Sequence, residues 1–226
     1  MAGRTCASRQ LQASSSASDF WQESGRRALN IVFDLGGVVF DWQPDALVRR
    51  VFEDPQSQAL VRREIIDHPD WIELDRGTLA LDAAIDRGAT RTGLSNHSVA
   101  RLFDAVPGSL VPIVATIDLV RAVNAGGRPL FVLSNMQLAS ADFLEKTHDI
   151  WDLFDGVVFS SRIQMVKPEP GIYEYLLREH RLDPAETVFI DDMSENLDAA
   201  SAFGIRTIQF IDPVQCRADL AKLDCL

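Results

Sequence analysis

Four short apolar runs, separated by helical stretches, constrain the fold of this chain more than any other feature. They occupy residues 30–33, 129–133, 156–159 and 187–190, and a fifth run follows at 205–210. Continuous apolar runs of this length are typical of strands that are buried on both faces of a parallel sheet. Strands that alternate with helices form right-handed βαβ units. The pattern therefore predicts an α/β fold built on a parallel sheet.

Each of the four runs leads into a polar side chain suited to phosphate or metal chemistry. The first ends at Asp34, the second at Ser134 and Asn135, and the fourth at a pair of acids; the third leads through two serines to Lys167. Ligands bind beyond the carboxyl ends of such strands. An Asp that only begins a turn is the alternative at residue 34, because turns favour Asp and Gly. Four such ends in succession favour a binding site.

These residues resemble the motifs of the haloacid dehalogenase superfamily, particularly its phosphatases. The resemblance covers residues 30–210, and it is nearest to glucose-1-phosphate phosphatases and to the phosphatase domain of soluble epoxide hydrolase. It implies a Rossmann-like core at residues 29–41 and 111–226. Between residues 42 and 110 the strand signal disappears and helical stretches follow. Both observations predict a helical cap inserted after the first strand.

The resemblance also implies a Mg²⁺-dependent phosphatase that forms an aspartyl-phosphate intermediate on a small phosphorylated metabolite, for which a sugar phosphate is one candidate. Asp34 would be the nucleophile, and Mg²⁺ would be held by Asp34, Asp192 and the carbonyl of Gly36. Asp191 and Asn196 would support the metal site. The phosphate would be held by the loop of Gly36 and Gly37 and by the side chains of Ser134, Asn135 and Lys167.

Gly36 is a departure from the usual motif. In most phosphatases of this superfamily an Asp two residues after the nucleophile acts as general acid and base, but here that position is glycine. A positioned acid or base contributes ~10²–10⁴-fold to the rate. The substrate could have a good leaving group, a cap residue such as His68 or Asp75 could relay the proton, or hydrolysis could be lost. Of these two residues His68 is the better candidate, because an unperturbed histidine titrates near neutrality. Glucose-1-phosphate phosphatases also carry glycine there.

Residues 68–77 are the most suggestive part of the predicted cap. Polar, aromatic and glycine residues crowd this stretch, which we interpret as a turn between two helices. The resemblance places such a turn above the active site, with substrate contacts expected at His68, Trp71, Asp75 and Arg76. An ordinary solvated turn, with Trp71 in the core of the cap, is the alternative.

Two other functions remain open. A dehalogenase of the same superfamily would use Asp34 to attack carbon without a metal, but the adjacent acids Asp191 and Asp192 would then repel each other. A protein that binds a phosphorylated ligand without catalysis is supported only by Gly36. A phosphonate-cleaving relative would need a lysine in the cap, and residues 42–110 contain none.

Composition bounds the partners of the chain. A net charge of −11 argues against nucleic acid and anionic membranes, since phosphate-rich surfaces require Lys and Arg. The apolar runs are too short to cross a bilayer.

Three widely spaced cysteines favour reduced thiols and a cytoplasmic protein, although Cys216 and Cys225 could pair. Residues 1–28 are expected to form a flexible tail, although the acid-free, serine-rich composition of residues 1–18 also fits an organelle transit peptide. The oligomeric state stays open.

Overall fold

The apolar runs form five neighbouring strands of one parallel sheet, which confirms the predicted fold class. The computed structural model describes residues 29–226. The strands follow the order β5-β4-β1-β6-β7, and every neighbouring pair is parallel. Their bounds are β1 Asn30–Phe33, β4 Leu130–Ser134, β5 Gly156–Phe159, β6 Thr187–Asp191 and β7 Arg206–Gln209. Because β1, β4 and β6 are adjacent, their carboxyl ends meet at the centre of one edge.

A short antiparallel ribbon marks where the chain leaves the core and returns to it. Its strands are β2 Phe40–Asp41 and β3 Val111–Pro112, with Phe40 opposite Pro112 and Asp41 opposite Val111. Most of the chain between these strands is helical. The ribbon therefore fixes the base of the inserted segment close to the loop that follows β1.

Helices account for the rest of the regular structure. Five lie between β2 and β3: α1 Pro44–Val51, α2 Pro55–Val61, α3 Pro69–Arg76, α4 Leu81–Thr92 and α5 Asn96–Ala105. A π-helical turn, Arg62–Ile66, extends α2. The core helices are α6 Val114–Ala125, α7 Leu138–Thr147, α8 Ser160–Ile163, α9 Pro170–Glu179, α10 Ser194–Ser201 and α11 Pro213–Lys222. Short 3₁₀ turns occur at Pro107–Ser109, Trp151–Leu153 and Pro184–Glu186.

The prediction of a turn across residues 68–77 is wrong, because α3 occupies most of this stretch. The Nδ1 atom of His68 accepts a hydrogen bond from the backbone N–H of Asp70 and caps the start of the helix. Gly77 ends it in the left-handed conformation, with φ of 78°. A Cβ at Gly77 would lie 2.4 Å from the carbonyl oxygen of Ser161, so the end of α3 sits directly on the core.

Two hydrophobic clusters cover the faces of the sheet, and a third lies among the inserted helices. Successive residues of β1 alternate between the faces, with Ile31 and Phe33 in one cluster and Val32 in the other. The third cluster draws all its buried members from residues 47–106. We therefore propose residues 42–110 as a cap with a core of its own.

Other predictions concern the cysteines and the chain ends. Cys216 and Cys225 are buried and are not joined to each other. Among residues 29–226, no helix combines the length and apolarity needed to cross a bilayer. The predicted tail at residues 1–28 lies outside the described residues.

Candidate active site

A buried ammonium group held between two carboxylates forms the centre of the candidate site. Lys167 Nζ lies 2.9 Å from Asp34 Oδ1 and 2.7 Å from Asp191 Oδ2. Asp34 follows β1, Asp191 ends β6, and Lys167 lies between α8 and α9. Lys167 is 2% exposed and Asp191 is fully buried, so the three charges interact with little screening by water.

Burial and charge act in opposite directions on these groups. Burial is the largest influence on Asp34 and raises its pKa to about 7; the charge of Lys167 opposes this, and that of Asp191 adds to it. Burial alone would lower the pKa of Lys167, but the charges of Asp34 and Asp191 outweigh it and the pKa is raised. Lys167 therefore stays protonated and supplies a permanent positive charge.

Asp191 is fixed by a network that occupies both of its oxygens. Its Oδ1 accepts hydrogen bonds from the backbone N–H of Met193 at 2.8 Å and from Asn196 Nδ2 at 3.0 Å. Its Oδ2 accepts from Lys167 and also lies 3.1 Å from Asn196 Nδ2. The carbonyl of Asn196 in turn accepts from the Tyr173 hydroxyl at 2.8 Å. Asp191 thus holds Lys167 in place.

Three carboxylates at this edge of the sheet could together hold a divalent cation. Asp34, Asp191 and Asp192 each offer an oxygen, and these atoms lie within 4.8 Å of one another. Mg²⁺ is usually bound by one or two carboxylates together with waters and substrate phosphate oxygens, so this cluster offers the kind of ligand that the ion prefers. Burial, with a contribution from Asp191, raises the pKa of Asp192. One lysine facing three carboxylates leaves negative charge that a cation would balance.

The loop after β1 approaches Asp192 so closely that only glycine fits at one position. Gly37 has φ of 78°, and a Cβ there would lie 2.6 Å from Asp192 Oδ2. Gly36 is different, because a Cβ there would meet only the Cβ of Trp42, at 4.0 Å. Gly37 therefore brings the loop against the acidic pair, whereas Gly36 faces open space.

The phosphate ligands predicted at the end of β4 have different surroundings. The Ser134 hydroxyl is buried and has no hydrogen-bond partner among residues 29–226, so it is available to a bound group. The Asn135 side chain instead makes two hydrogen bonds to the backbone of Lys167. Its Nδ2 donates to the Lys167 carbonyl at 2.9 Å, and its Oδ1 accepts from the Lys167 N–H at 2.8 Å. Asn135 thus positions the lysine.

Two adjoining cavities open between the cap and the core. The smaller, about 80 Å³, includes Gly36, Asn135 and Asp75 in its lining. The larger, about 430 Å³, shares Gln137 and Ser140 with the smaller cavity. Apolar side chains make up about half of the lining of the smaller cavity, where they are Trp42, Trp71, Val106, Leu110 and Met136. They make up most of the lining of the larger cavity, which includes Leu74, Leu79, Leu81, Phe103, Pro107 and Leu138.

The four predicted cap contacts have distinct positions. Trp71 lines the smaller cavity and stacks on Trp42 and Phe103, with both centroid distances 5.8 Å, so it also packs in the core of the cap. Arg76 makes a bidentate ion pair with Glu169 of the core at 2.6 and 2.7 Å. His68 caps α3. Direct contact of these residues with a substrate stays a prediction.

Asp75 is held above the site by a hydrogen bond from the core to its backbone carbonyl. The buried Ser160 hydroxyl accepts from the backbone N–H of Met136 at 2.8 Å and donates to the carbonyl of Asp75. Burial raises the pKa of the Asp75 carboxyl to about 7; the neighbouring Gln137 amide lowers it, the charge of Asp34 raises it, and that of Lys167 lowers it. Asp75 therefore lies within electrostatic range of both core groups.

The sequence did not single out three residues that shape this arrangement. Ser160 is the first residue after β5, a position equivalent to Asp34 after β1, and this register was its one available signal. Gln137 lines both cavities and faces the carboxyl of Asp75. Glu169 binds Arg76 across 93 positions of sequence, and no local pattern predicts such a contact.

Comparison with known proteins gives a family match over more than half of the chain. The model described as haloacid dehalogenase-like hydrolase matches residues 86–210. A sesquiterpene phosphatase of Aspergillus oryzae is 30% identical, over 85% of this chain and 94% of that protein. An (S)-2-haloacid dehalogenase of Pseudomonas putida is 28% identical, over 77% of this chain and 80% of that protein.

A solved structure shows the same fold. It is a haloacid dehalogenase family enzyme from Bacteroides thetaiotaomicron, in complex with magnesium and inorganic phosphate. It superimposes with a TM-score of 0.65 at 21% sequence identity, and the match covers 81% of this chain and 94% of that one. That family member therefore binds both a magnesium ion and phosphate on this architecture.

Proposed function

The chain belongs to the haloacid dehalogenase-like hydrolases, and we propose that it is a Mg²⁺-dependent phosphatase that acts on a small phosphate ester. One observation carries the proposal: a buried lysine lies between two carboxylates at the strand ends, with a third carboxylate and an unpartnered serine hydroxyl beside it. This set supplies a nucleophile, phosphate ligands and metal ligands. The phosphatase relative and the magnesium and phosphate complex support the same chemistry.

Asp34 is the proposed nucleophile. Its Oδ1 accepts from Lys167 and from the backbone N–H of Leu35, whereas no described residue donates to Oδ2. Attack on phosphorus would give an aspartyl-phosphate, which water then hydrolyses. An ammonium group has three donors, and Lys167 uses two on the carboxylates. Its third, together with the Ser134 hydroxyl, is left for the phosphate oxygens.

A Mg²⁺ ion fits beside the nucleophile. Since Asp191 is committed to its hydrogen bonds, Asp34, Asp192 and the carbonyl of Gly36 would hold the ion. When bound, it would supply positive charge that offsets repulsion between the carboxylate and the phosphate. Asp191 and Asn196 keep Lys167 oriented, and Gly37 keeps the loop against Asp192.

The cavities favour a phosphate ester with an apolar or aromatic alcohol over a sugar phosphate. Stacked aromatic rings line the smaller cavity, and mainly aliphatic side chains line the larger. A sugar would require several polar partners for its hydroxyl groups, and only a few polar side chains are present there. The sesquiterpene phosphatase relative acts, by its name, on an apolar skeleton.

The main test of the proposal is metal-dependent phosphate release. The protein should release inorganic phosphate from aryl, prenyl and sugar phosphates in the presence of Mg²⁺, with apolar esters preferred. EDTA should abolish the activity, and added Mg²⁺ should restore it. Halide release from 2-haloacids in EDTA, without phosphate release, would instead support the dehalogenase alternative. The similarity to the Pseudomonas putida dehalogenase is the reason for testing that alternative.

Two substitutions test the roles of the carboxylates. Asp34→Asn should abolish turnover, because an amide of nearly the same shape is a poor nucleophile, while exposed Asp118→Asn should not. Asp192→Ala should raise the Mg²⁺ concentration needed for half-maximal activity, while exposed Asp198→Ala on α10 should leave it unchanged. Full turnover by Asp34→Asn would eliminate the covalent mechanism.

A cytoplasmic location and a small-molecule partner complete the proposal. The two described cysteines are not joined, as expected for a reducing compartment. The acidic net charge remains unsuited to nucleic acid or anionic membranes. Fractionation of cells, with and without reductant, would test the location.

A further inference from the structure

We infer that Asp75 of the cap is the general acid and base that the core lacks at Gly36. The inference rests on the proposed phosphatase function and names the residue that moves the proton. Gly36 and Asp75 line the same small cavity, one from the core and the other from the cap. A carboxyl from the cap therefore reaches the space beside the nucleophile's loop, where the core itself offers no side chain.

Contacts of three consecutive residues, Asp75, Arg76 and Gly77, fix the position of Asp75. The Ser160 hydroxyl, itself held by the backbone of Met136, donates to the carbonyl of Asp75. Arg76 pairs bidentately with Glu169. Gly77 packs against the carbonyl of Ser161, at a distance that excludes any Cβ. These contacts fix the last turn of α3 on the core, where Asp75 lines the cavity and its carboxyl faces Gln137.

The surroundings of Asp75 suit a group that both gives and takes a proton. The groups that face it are Gln137 from the start of α7, Asp34 after β1 and Lys167 before α9. Burial raises its pKa to about 7, so both protonation states are accessible near neutrality. Unlike Lys167 and Arg76, it has no ion-pair partner in the described structure to hold it in one charge state.

The proton balance closes over two steps. First, Asp34 attacks phosphorus, the bond between phosphorus and the ester oxygen breaks, and protonated Asp75 gives its proton to that oxygen, so the alcohol leaves. Then a water attacks the aspartyl-phosphate, and the Asp75 carboxylate takes one of its protons. The bond from phosphorus to Asp34 breaks, inorganic phosphate leaves, and both side chains regain their starting states.

The deciding experiment compares leaving groups in Asp75→Asn, with Asp104→Asn as the control carboxylate on the exposed side of α5. The substrates are p-nitrophenyl phosphate, whose leaving group needs no proton, and 2-phenylethyl phosphate, whose alkoxide does. kcat/KM reports the steps up to loss of the alcohol. Asp75→Asn should lower kcat/KM about 100-fold or more for the alkyl ester and only a few-fold for the aryl ester.

The second step gives another readout. In Asp75→Asn, slow hydrolysis of the aspartyl-phosphate should produce a stoichiometric burst of p-nitrophenolate. Equal losses of kcat/KM on both esters, or no loss on the alkyl ester, would overturn the role as acid. An unchanged steady-state rate on the aryl ester without a burst would overturn the role as base.

Failure of this inference can be told apart from failure of the proposed function. Wild-type protein that hydrolyses neither ester with Mg²⁺ would overturn both. Wild-type protein that hydrolyses both, combined with equal losses in the variant, would overturn Asp75 alone. If Asp75→Asn does not fold, Asp75→Ser is measured in the same way, since the contact with Ser160 uses only the backbone.

Discussion

Single residues in this site are coupled, so the effect of one side chain depends on the charges left behind. Lys167 neutralises part of the charge of Asp34 and Asp191 inside the protein. Removing one partner of a buried ion pair leaves an uncompensated charge and costs about 3–5 kcal/mol. On the proposed function, the same residue would serve both stability and phosphate binding.

Lys167→Ala should therefore lose both activity and stability. We expect little or no phosphate release, because the phosphate loses its fixed cation, and a free energy of unfolding lower by about 3 kcal/mol or more. Urea denaturation and phosphate-release assays measure the two effects. Lys222→Ala removes an exposed lysine and should change neither. Wild-type rates for Lys167→Ala on every ester would show that the lysine has no part in catalysis.

Gly36 and Gly37 are neighbours with opposite tolerance for a side chain. Gly36→Asp in the Asp75→Asn background should restore at least ~10-fold in kcat/KM for 2-phenylethyl phosphate, because a Cβ fits there and a carboxyl can replace the missing acid. Gly37→Ala should abolish activity, since its Cβ would collide with Asp192. A double variant no faster than Asp75→Asn on the alkyl ester would show that position 36 cannot deliver a proton.

At the scale of elements, the strands were predictable and α3 was not. The central strands β1, β4 and β6 are short, almost wholly buried runs, and the polar residues at or after the strand ends identified Asp34, Lys167 and the acidic pair. Helix α3 is only eight residues long between Pro69 and Gly77, and a histidine caps it. Proline, glycine and an unusual cap together resemble a turn.

Contacts between distant elements could not be predicted from the sequence either. The two-residue strands β2 and β3 have no periodicity to detect, and they pair only because the cap brings their ends together. Which face of α3 meets the core depends on Ser160 and Glu169, far along the chain. Asp75 could be proposed from sequence as a proton relay, but its position over the site required the packed structure.

The pair of Arg76 and Glu169 gives a prediction at the scale of elements, because it joins α3 to the start of α9. Arg76→Glu alone should lower kcat/KM about 10-fold or more, since like charges would lift α3 and move Asp75 away. Combining it with Glu169→Arg should recover most of the loss. The melting temperature of the double variant should stay close to that of the wild type, because an ion pair at a solvent-accessible position contributes only ~0.2–1 kcal/mol. Equal rates for all three proteins would show that this contact does not position the cap.

The whole molecule combines a charged core site with an apolar space under the cap. The proposed phosphate site lies at the centre of the sheet edge, where β1, β4 and β6 meet, and residues of α3, α4 and α7 line the larger cavity. On the proposed function, the cap would decide which alcohol is accepted, because the core residues would contact only the phosphate. Specificity should therefore follow the apolar area that the alcohol buries.

A series of n-alkyl phosphates from ethyl to octyl tests this division. Each methylene buried in the cavity contributes about 0.8 kcal/mol, so kcat/KM should rise up to ~4-fold per carbon until the cavity is full. Leu138→Asp places a charge at the half-exposed rim of the larger cavity, at the start of α7, and should flatten the series. Val214→Asp changes an exposed valine at the start of α11 and should preserve it. Wild-type rates that do not depend on the length of the alkyl group, or that fall as it grows, would contradict an apolar substrate. Such rates would favour a small polar phosphate ester instead.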